Sequence, residues 1–574
     1  MASQKLIKKA RRRLAEETGC RANPWGGRLS VALVFPNTYA QAMSNLGFLT
    51  VYQLLNNRED CLAERFFLPD PADLREHRRT DTPLFSLESG RSLTDFDLVA
   101  FSISFENDYL NLPTLFELGR LPLWRRERTR RHPLVVCGGV CAFLNPEPLA
   151  DIMDLFVVGE GEVILPPMLE VLQTGSGRQE LLEELSRIPG VYVPAAYGER
   201  LLADGGRMAG DPLGGAPARV RRQWLRDLDV HPTVAAVQTR QTEFGDMYLM
   251  EVSRGCGRGC RFCAAGYLYL PPRERSLDRL ARQAEQGLCH RERIGLVGAA
   301  VSDYSRLEEL SRLILERQGC ISVASLRIDS LTADEVATLH ASGHKTLALA
   351  PEAGSQRLRD AINKQLTEEQ ILRAVDLLGE AGIQNLKLYF LVGLPGESEA
   401  DLDETEALIA AIHRRWQEHG RHRGQMGRLI LSVNPFIPKP VTPLQWMPLA
   451  RPETLKRARK RLRDLVGRLA NTELNFESPR SALLQAFLSR ADRRAAGLLP
   501  DLAAGRHLED CCREAGIDLA AQLYRERAGD EPLPWDIVDI GVDRAVLLEE
   551  YRRYCAGRLT PPCRPDCRRC GVCG

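Results

Sequence analysis

Seven of the chain's 16 cysteines fall in two tight groups. Cys256, Cys260 and Cys263 are spaced C-x₃-C-x₂-C, with Phe262 directly ahead of the last. Three thiolates are one fewer than a closed 4Fe–4S cube takes, so a cube held here keeps one iron open to an exchangeable ligand. Zinc is the plainer reading, but it asks for a fourth nearby ligand, and the next Cys or His is Cys289. Gly255, Gly257 and Gly259 suit a loop wrapped closely round a large inorganic group.

The second group is Cys563, Cys567, Cys570 and Cys573, spaced C-x₃-C-x₂-C-x₂-C. Four thiolates can close round one metal centre unaided. Tetrahedral zinc accepts them, and so does an auxiliary 4Fe–4S cluster. Arg564, Arg568 and Arg569 would offset the charge of such a centre. On stoichiometry alone the two sites read as independent.

The elements that must position these groups follow from the rest of the chain. Its 574 residues allow about three to four domains. A net charge of +1 gives no global field for nucleic acid or membrane, and no apolar run approaches the ~20 residues of a spanning helix. The cations from Lys5 to Arg13 lack a following apolar stretch, so they do not read as a secretory signal. Clustered rather than framework cysteines place the chain in a reducing compartment. The expectation is a cytoplasmic protein that is oxygen-sensitive through its open cluster.

Residues 1–28 read as a basic arm. Residues 29–175 alternate strand-like runs (29–36, 96–105, 133–140, 154–158) with helical stretches, which predicts a doubly wound parallel sheet. Residues 176–246 read as a linker with hairpins. Residues 247–449 carry six strand candidates, at 247–252, 293–297, 321–328, 346–350, 385–392 and 429–433, with helices between them. Six βα units predict a partial TIM-like barrel with its chemistry at the strand carboxyl ends. The cysteine loop follows the first strand. Residues 450–560 read as a helical domain with a basic start, and 561–574 as a Cys-rich metal-binding tail.

With its cysteine loop placed after a strand, the region 247–445 resembles the core of the radical S-adenosylmethionine (SAM) superfamily. The resemblance implies a 4Fe–4S cluster whose open iron binds SAM, and an electron donor such as flavodoxin or ferredoxin. It implies SAM-facing roles for Phe262, for Ser302 and Asp303 after the second strand, and for Glu352 in Ala350-Pro-Glu-Ala-Gly-Ser355. It implies the same for Lys387 on the fifth strand and for Gly393 and Glu397 in Gly393-Leu-Pro-Gly-Glu397. The segment Asn434-Pro-Phe-Ile-Pro-Lys-Pro440 is also similar to this group. Val34-Phe-Pro-Asn37, Cys137-Gly-Gly-Val140 and Gly159-Glu-Gly-Glu162 resemble a cobalamin-binding-like domain. Gly138, Gly139, Gly159 and Gly161 would then admit cobalamin. The loop 37–47 has no histidine to ligate cobalt from below.

Several signals have plainer readings. Glu352 and Glu397 are also ordinary helix-start carboxylates, and Lys387 with Tyr389 could be core packing. Ser325, Arg327 and Asp329 could reach SAM or form a buried ion pair. Basic stretches at 413–428 and 451–461, with the N-terminal arm, form either a nucleic-acid footprint or solvated helix faces. The expected function is a radical SAM enzyme that starts from hydrogen abstraction, with methyl transfer if cobalamin is present. The alternatives are methylthiotransferase-like sulfur insertion into RNA or a ribosomal protein, and a non-catalytic iron–sulfur assembly or sensor protein. The substrate, RNA or protein, is open.

Overall fold

The structure is a computed structural model. It describes the whole chain except Met1, Ala2, Ser176, Ala324, Ser325, Pro565, Asp566 and Gly574. The expectation for Ser325 therefore lies outside the described residues.

An N-terminal helix, α1 (Gln4–Ala15), precedes a six-stranded sheet. Its strands are β1 (Leu29–Phe35), β2 (Cys61–Phe67), β3 (Leu98–Ser102), β4 (Leu134–Gly138), β5 (Leu155–Val157) and β6 (Val191–Tyr192), in the order β2-β1-β3-β4-β5-β6. The first five are parallel and β6 pairs antiparallel to β5. Apolar runs buried on both faces explain the four strands visible in the sequence. Strand β2 escapes such reading because Glu64 and Arg65 sit in its middle. Both are buried with partners: Glu64 accepts from Trp25 at 2.7 Å, and Arg65 binds Glu17 and Glu88 at 2.6 and 2.7 Å. Strand β6 lies inside the expected linker, whose only longer hairpin among the described residues is Tyr197–Leu201 with Arg207–Pro212.

The second unit is the expected partial barrel. Strands β7 (Met247–Glu251), β8 (Arg293–Val297) and β9 (Cys320–Val323) form one parallel sheet. Strands β10 (Thr346–Glu352), β11 (Asn385–Val392), β12 (Leu429–Pro435) and β13 (Thr472–Phe476) form another. Six strands match the expectation. The seventh, β13, falls in the region expected to be helical, because its alternating Thr-Glu-Leu-Asn-Phe is short and half polar. In β11, half-buried Asn385, Lys387, Tyr389 and Leu391 alternate with buried Leu386, Leu388, Phe390 and Val392. The period of two puts the first set on the lumen face and the second against the helices. Two long helices matter below: α2 (Glu399–His422), and α3 (Pro452–Val466), which connects β12 to β13. A later helix, α4 (Arg544–Cys555), precedes the tail.

The two units and the C-terminal region share cores. Phe101, Cys137 and Phe156 of the first sheet lie in one apolar cluster with Phe487, Leu499 and Trp535 of the C-terminal region. Polar clamps cross the same boundary: Lys439 pairs with Glu106 at 2.6 Å, and Arg493 with Glu147 at 2.8 Å. The tail is not a loose surface strand, because Val572 is buried in that cluster and Asp543 donates its N–H to the Cys570 carbonyl at 3.0 Å. Among the described residues no helix is long and apolar enough to cross a membrane.

Candidate functional site

The cysteine loop leaves the carboxyl end of β7 through a two-residue ladder, Ser253–Arg254 against Arg273–Glu274. Gly255 has φ +87°, and a β-carbon there would lie 2.3 Å from the Tyr269 carbonyl oxygen. The turn into the loop therefore requires glycine. The root is held by charge: Arg254 binds Glu160, Glu162 and Glu251 at 2.7–2.9 Å, and Arg273 binds Glu160 at 2.7 Å. The carboxylates of Gly159-Glu-Gly-Glu162 thus anchor the cysteine loop to the N-terminal sheet.

Within the loop the three thiols lie close enough to affect one another. Burial pushes Cys260 up to about 11, opposed by Lys364 and reinforced by Cys263 and Cys256. Burial also raises Cys263, with Cys256 adding to the effect. Among the described residues no three or more His, Cys, Asp or Glu side chains converge as ligands of one bare ion would. A cube takes its thiolates at separate irons, so the three neighbouring thiols fit that group.

The residues between the cysteines point to two different networks. Arg258 pairs with Asp303 at 2.6 Å and Asp329 at 3.2 Å, and Arg327 pairs with Asp329 at 2.9 Å. Ser302 accepts from the Arg327 N–H at 3.1 Å. Asp303 is therefore engaged by the loop itself. Arg261 is wholly buried and donates to Glu550 at 3.0 Å, the Ala361 carbonyl at 2.6 Å, the Arg558 carbonyl at 2.7 Å and Thr560 Oγ1 at 3.0 Å.

Glu352 lies at a bulge between β10 and β11 with φ +68°, a conformation that costs a non-glycine residue about 1–3 kcal/mol and is found at functional sites. Its carboxylate meets Lys364 Nζ at 3.1 Å. Burial opposes the Lys364 charge, but Glu352 and Cys260 beside it hold its pKa above the ordinary lysine value. Lys364 is flanked by Asn363 and Gln365, both with positive φ. Asn363 donates to the Gly259 carbonyl at 3.1 Å and accepts from the Thr560 N–H at 2.9 Å. Sequence reading missed Lys364, Asn363 and Arg261, and the run Asn-Lys-Gln carries no spacing signal that would have flagged them.

The remaining expected residues divide. Phe262 packs with Leu394, Phe436 and Tyr554 at the barrel mouth. Lys387 stands over the Tyr389 ring at 4.7 Å in the lumen. Gly393 has φ +75° and donates its N–H to Glu397 at 2.7 Å. Glu397 thus closes a turn, and burial pushes its carboxyl up to about 7.

The tail lies against this site. Cys563 donates its N–H to the Gly257 carbonyl at 2.7 Å, and a β-carbon on Gly257 would lie 3.1 Å from Cys563 Cβ. Burial, then the neighbouring Cys567, Cys570 and Cys573 thiols, pushes Cys563 up to about 11. Like the loop thiols, those of the tail do not converge, among the described residues, as ligands of one bare ion would. The second cysteine group therefore abuts the first loop.

The N-terminal glycines pack closely against the chain itself. A β-carbon on Gly139 would fall 2.5 Å from the Ile103 carbonyl oxygen, and one on Gly159 2.1 Å from that of Gln223. Gly161 meets Leu165 and Val51, and Gly138 makes ordinary contacts with Val157 and Phe101. At Gly139 and Gly159 the space a β-carbon would take is filled by the chain's own backbone, so glycine is required there.

Residues 47–194 match the N-terminal domain of radical SAM proteins, and residues 250–409 match the radical SAM superfamily. An uncharacterized protein of Methanocaldococcus jannaschii is 29% identical over 472 residues, 81% of this chain and 89% of that protein. A tRNA-2-methylthio-N(6)-dimethylallyladenosine synthase of Cereibacter sphaeroides is 31% identical over 184 residues, 30% of this chain. The match spans 42% of that synthase, less than half its length. Among solved structures, the cobalamin-dependent SAM radical enzyme OxsB with aqua-cobalamin bound aligns with a TM-score of 0.47 at 14% identity, covering 92% of this chain and 80% of that one. With the three-cysteine loop inside the matched segment and a second matched domain ahead of the barrel, the chain belongs to the radical SAM superfamily.

Proposed function

We propose that this radical SAM enzyme abstracts hydrogen from its substrate with a second thiolate-held centre seated against its cysteine loop. The observation that carries the reading is the Cys563 N–H to Gly257 carbonyl bond at 2.7 Å, which joins the two cysteine groups. Cys256, Cys260 and Cys263 would hold a 4Fe–4S cube, which when bound would supply the electron for reductive cleavage of SAM.

The chain's own part is to bind, orient and exclude water. Lys364 offers a buried cation for the SAM carboxylate, and Glu352 an anion for its ammonium group. Releasing the Lys364–Glu352 pair to SAM keeps every buried charge partnered. Arg258 fixes the loop to the ends of β8 and β9 through Asp303 and Asp329. Phe262 and Leu394 close the apolar side of the mouth.

Two finer outcomes have partial support. Cobalamin-linked methyl transfer is supported by the order of domains, a doubly wound sheet ahead of the barrel. Against it stands the histidine-free loop 37–47. Methylthiolation is supported by the identity of the core to a methylthio-forming synthase. Against it, four thiolates complete a cube in the tail and leave no iron open to a sulfur donor. A centre closed in this way serves as an electron carrier or as a brace.

Iron, zinc and cobalt analysis of anaerobically reconstituted protein, with its visible spectrum, tests the reading. Two centres require about four irons on the loop plus either about four more irons or one zinc on the tail. Replacing all four tail cysteines by alanine should remove only the second quantity. Unchanged metal content in that variant would contradict a second centre, and stoichiometric cobalt would restore the methyl-transfer reading.

A further inference from the structure

We infer that the free edge of the barrel, between α3 and β13, is a binding groove for a nucleic-acid strand. This rests on the radical SAM reading only for what happens to the strand after it binds.

The barrel is open on one side. The outer edge of β7 is covered by the preceding segment, where Ala235 donates to Leu249 O and Glu251 donates to Thr233 O, both at 2.9 Å. The outer edge of β13 has no partner strand among the described residues. A cavity of about 550 Å³ elsewhere lies on the surface helix 178–183, whereas one of about 500 Å³ lies at this edge. It is lined by Ser432 and Asn434 from β12, Asn475 and Phe476 from β13, and Arg459 and Arg463 from α3.

Helix α3 sorts its cations. At 100° per residue, Lys456, Arg459, Lys460 and Arg463 share one stripe, beside the buried face of Leu455, Ala458, Leu462 and Leu465. Arg457 and Arg461 lie on the other flank, paired with Glu399, Asp403 and Glu406 of α2. None of the four stripe residues has a carboxylate within ion-pair distance among the described residues, although α3 packs beside a helix rich in them. The Arg459 guanidinium stands 5.9 Å from the Phe476 ring centroid. The only carboxylate lining the cavity is Glu477, whose pKa burial raises.

The other basic segments lack this arrangement. In the N-terminal arm, Lys9 and Arg13 bind Asp70 and Arg12 binds Glu16, while exposed Lys5, Lys8 and Arg11 line no part of this cavity. In the 413–428 stretch, Arg415 and His419 bind Asp376, and Arg423 donates to the Gly379 carbonyl. Exposed Arg414 and Arg421 lie on α2, which lines no part of this cavity.

A row of free cations beside an aromatic ring and neutral amide and hydroxyl groups is the pattern of a single-strand site. Cations follow the phosphates, the ring stacks a base, and amides read base edges. Phe476 also packs against the barrel core beneath Arg459; an acidic polypeptide would need the cations but would leave the Asn434 and Asn475 amides without a role. The lumen position of Ser432 and Asn434 would bring a base from the groove toward the barrel interior.

The test is fluorescence anisotropy with a labelled, unstructured RNA of about 16 nucleotides, a DNA of the same sequence, and polyglutamate. Log K should fall with log salt at about −0.7 per contacted phosphate, so about −3 for four cations. Arg459→Ala with Arg463→Ala should make the slope shallower by about 1.4 and weaken low-salt binding at least about tenfold. Lys456→Ala with Lys460→Ala should do likewise, whereas Arg414→Ala with Arg421→Ala should not. Thermal melts check that each variant folds. Preference between RNA and DNA would report contact with the 2′-hydroxyl. Absence of nucleic-acid binding at low salt, wild-type binding by both α3 variants, or equal affinity for polyglutamate would overturn the inference. The assay needs no SAM turnover, so its failure is distinguishable from failure of the radical SAM reading.

Discussion

Arg261→Met should detach the tail from the cysteine loop. Arg261 is 0% exposed and Glu550, its partner, 3%. The substitution leaves buried Glu550 with Thr560 Oγ1 at 2.8–2.9 Å and a distant Arg569 at 3.9 Å, and removes the donor to the carbonyls of Ala361 and Arg558. Breaking a buried pair from one side costs about 3–5 kcal/mol. The chain can avoid that cost by releasing residues 556–574 to water, where every orphaned acceptor is hydrated. At about 1.4 kcal/mol per factor of ten, the equilibrium constant for docking should fall by about two to three and a half orders of magnitude. Limited proteolysis should cut the tail rapidly, and iron should fall in both centres because Arg261 lies between Cys260 and Cys263. Adding Glu550→Gln should restore part of the loss, since neighbours couple by about 0.5–3 kcal/mol. A single variant with wild-type protease resistance and wild-type iron would refute the reasoning.

Three further outcomes follow from the same geometry. Truncation after Pro562 leaves the Arg261–Glu550–Thr560 clasp intact, so the tail metal should be lost while about four irons and deoxyadenosine formation persist; loss of all iron would show that the tail metal itself holds the loop. Lys364→Ala removes the cation proposed for the SAM carboxylate and should raise the KM for SAM by about tenfold or more, with iron content unchanged; an unaltered KM would contradict the role. Burial holds the Glu397 carboxyl protonated to about pH 7 against an ordinary 4.5. Its contribution to stability is therefore complete below about pH 4.5 and lost as pH rises through about 7, and Glu397→Gln should remove that slope from urea midpoints. Parallel wild-type and variant curves across this range would contradict it.

The parts of this site legible in the sequence are those whose chemistry is local. Cys256, Cys260 and Cys263 declare themselves by spacing, and the apolar runs of β1, β7 and β11 declare the sheets they belong to. Strand β2 did not, since Glu64 and Arg65 read as surface until Trp25, Ser89, Glu17 and Glu88 are folded onto them. The clasp did not either, because Arg261 and Glu550 are 289 residues apart. The N-terminal glycines were legible as requiring close approach but not as to what approaches. Ile103 and Gln223 backbone lies against the β-carbon side of Gly139 and Gly159. Asp303 was placed at the correct strand end, and only its partner, Arg258 of the loop, was invisible. Basic stretches of equal charge density in sequence separate once the acids of α2 are seen to neutralise one flank of α3 and not the other.

The central claim is that Cys256, Cys260 and Cys263 hold a cluster that cleaves SAM reductively. The most direct measurement is 5′-deoxyadenosine formation by anaerobically reconstituted protein given SAM and dithionite, beside Cys260→Ala prepared identically. The account predicts multiple turnovers or a stoichiometric burst from the wild-type chain and none above background from the variant. Equal product from both, or none from a wild-type chain carrying its full iron, would contradict it.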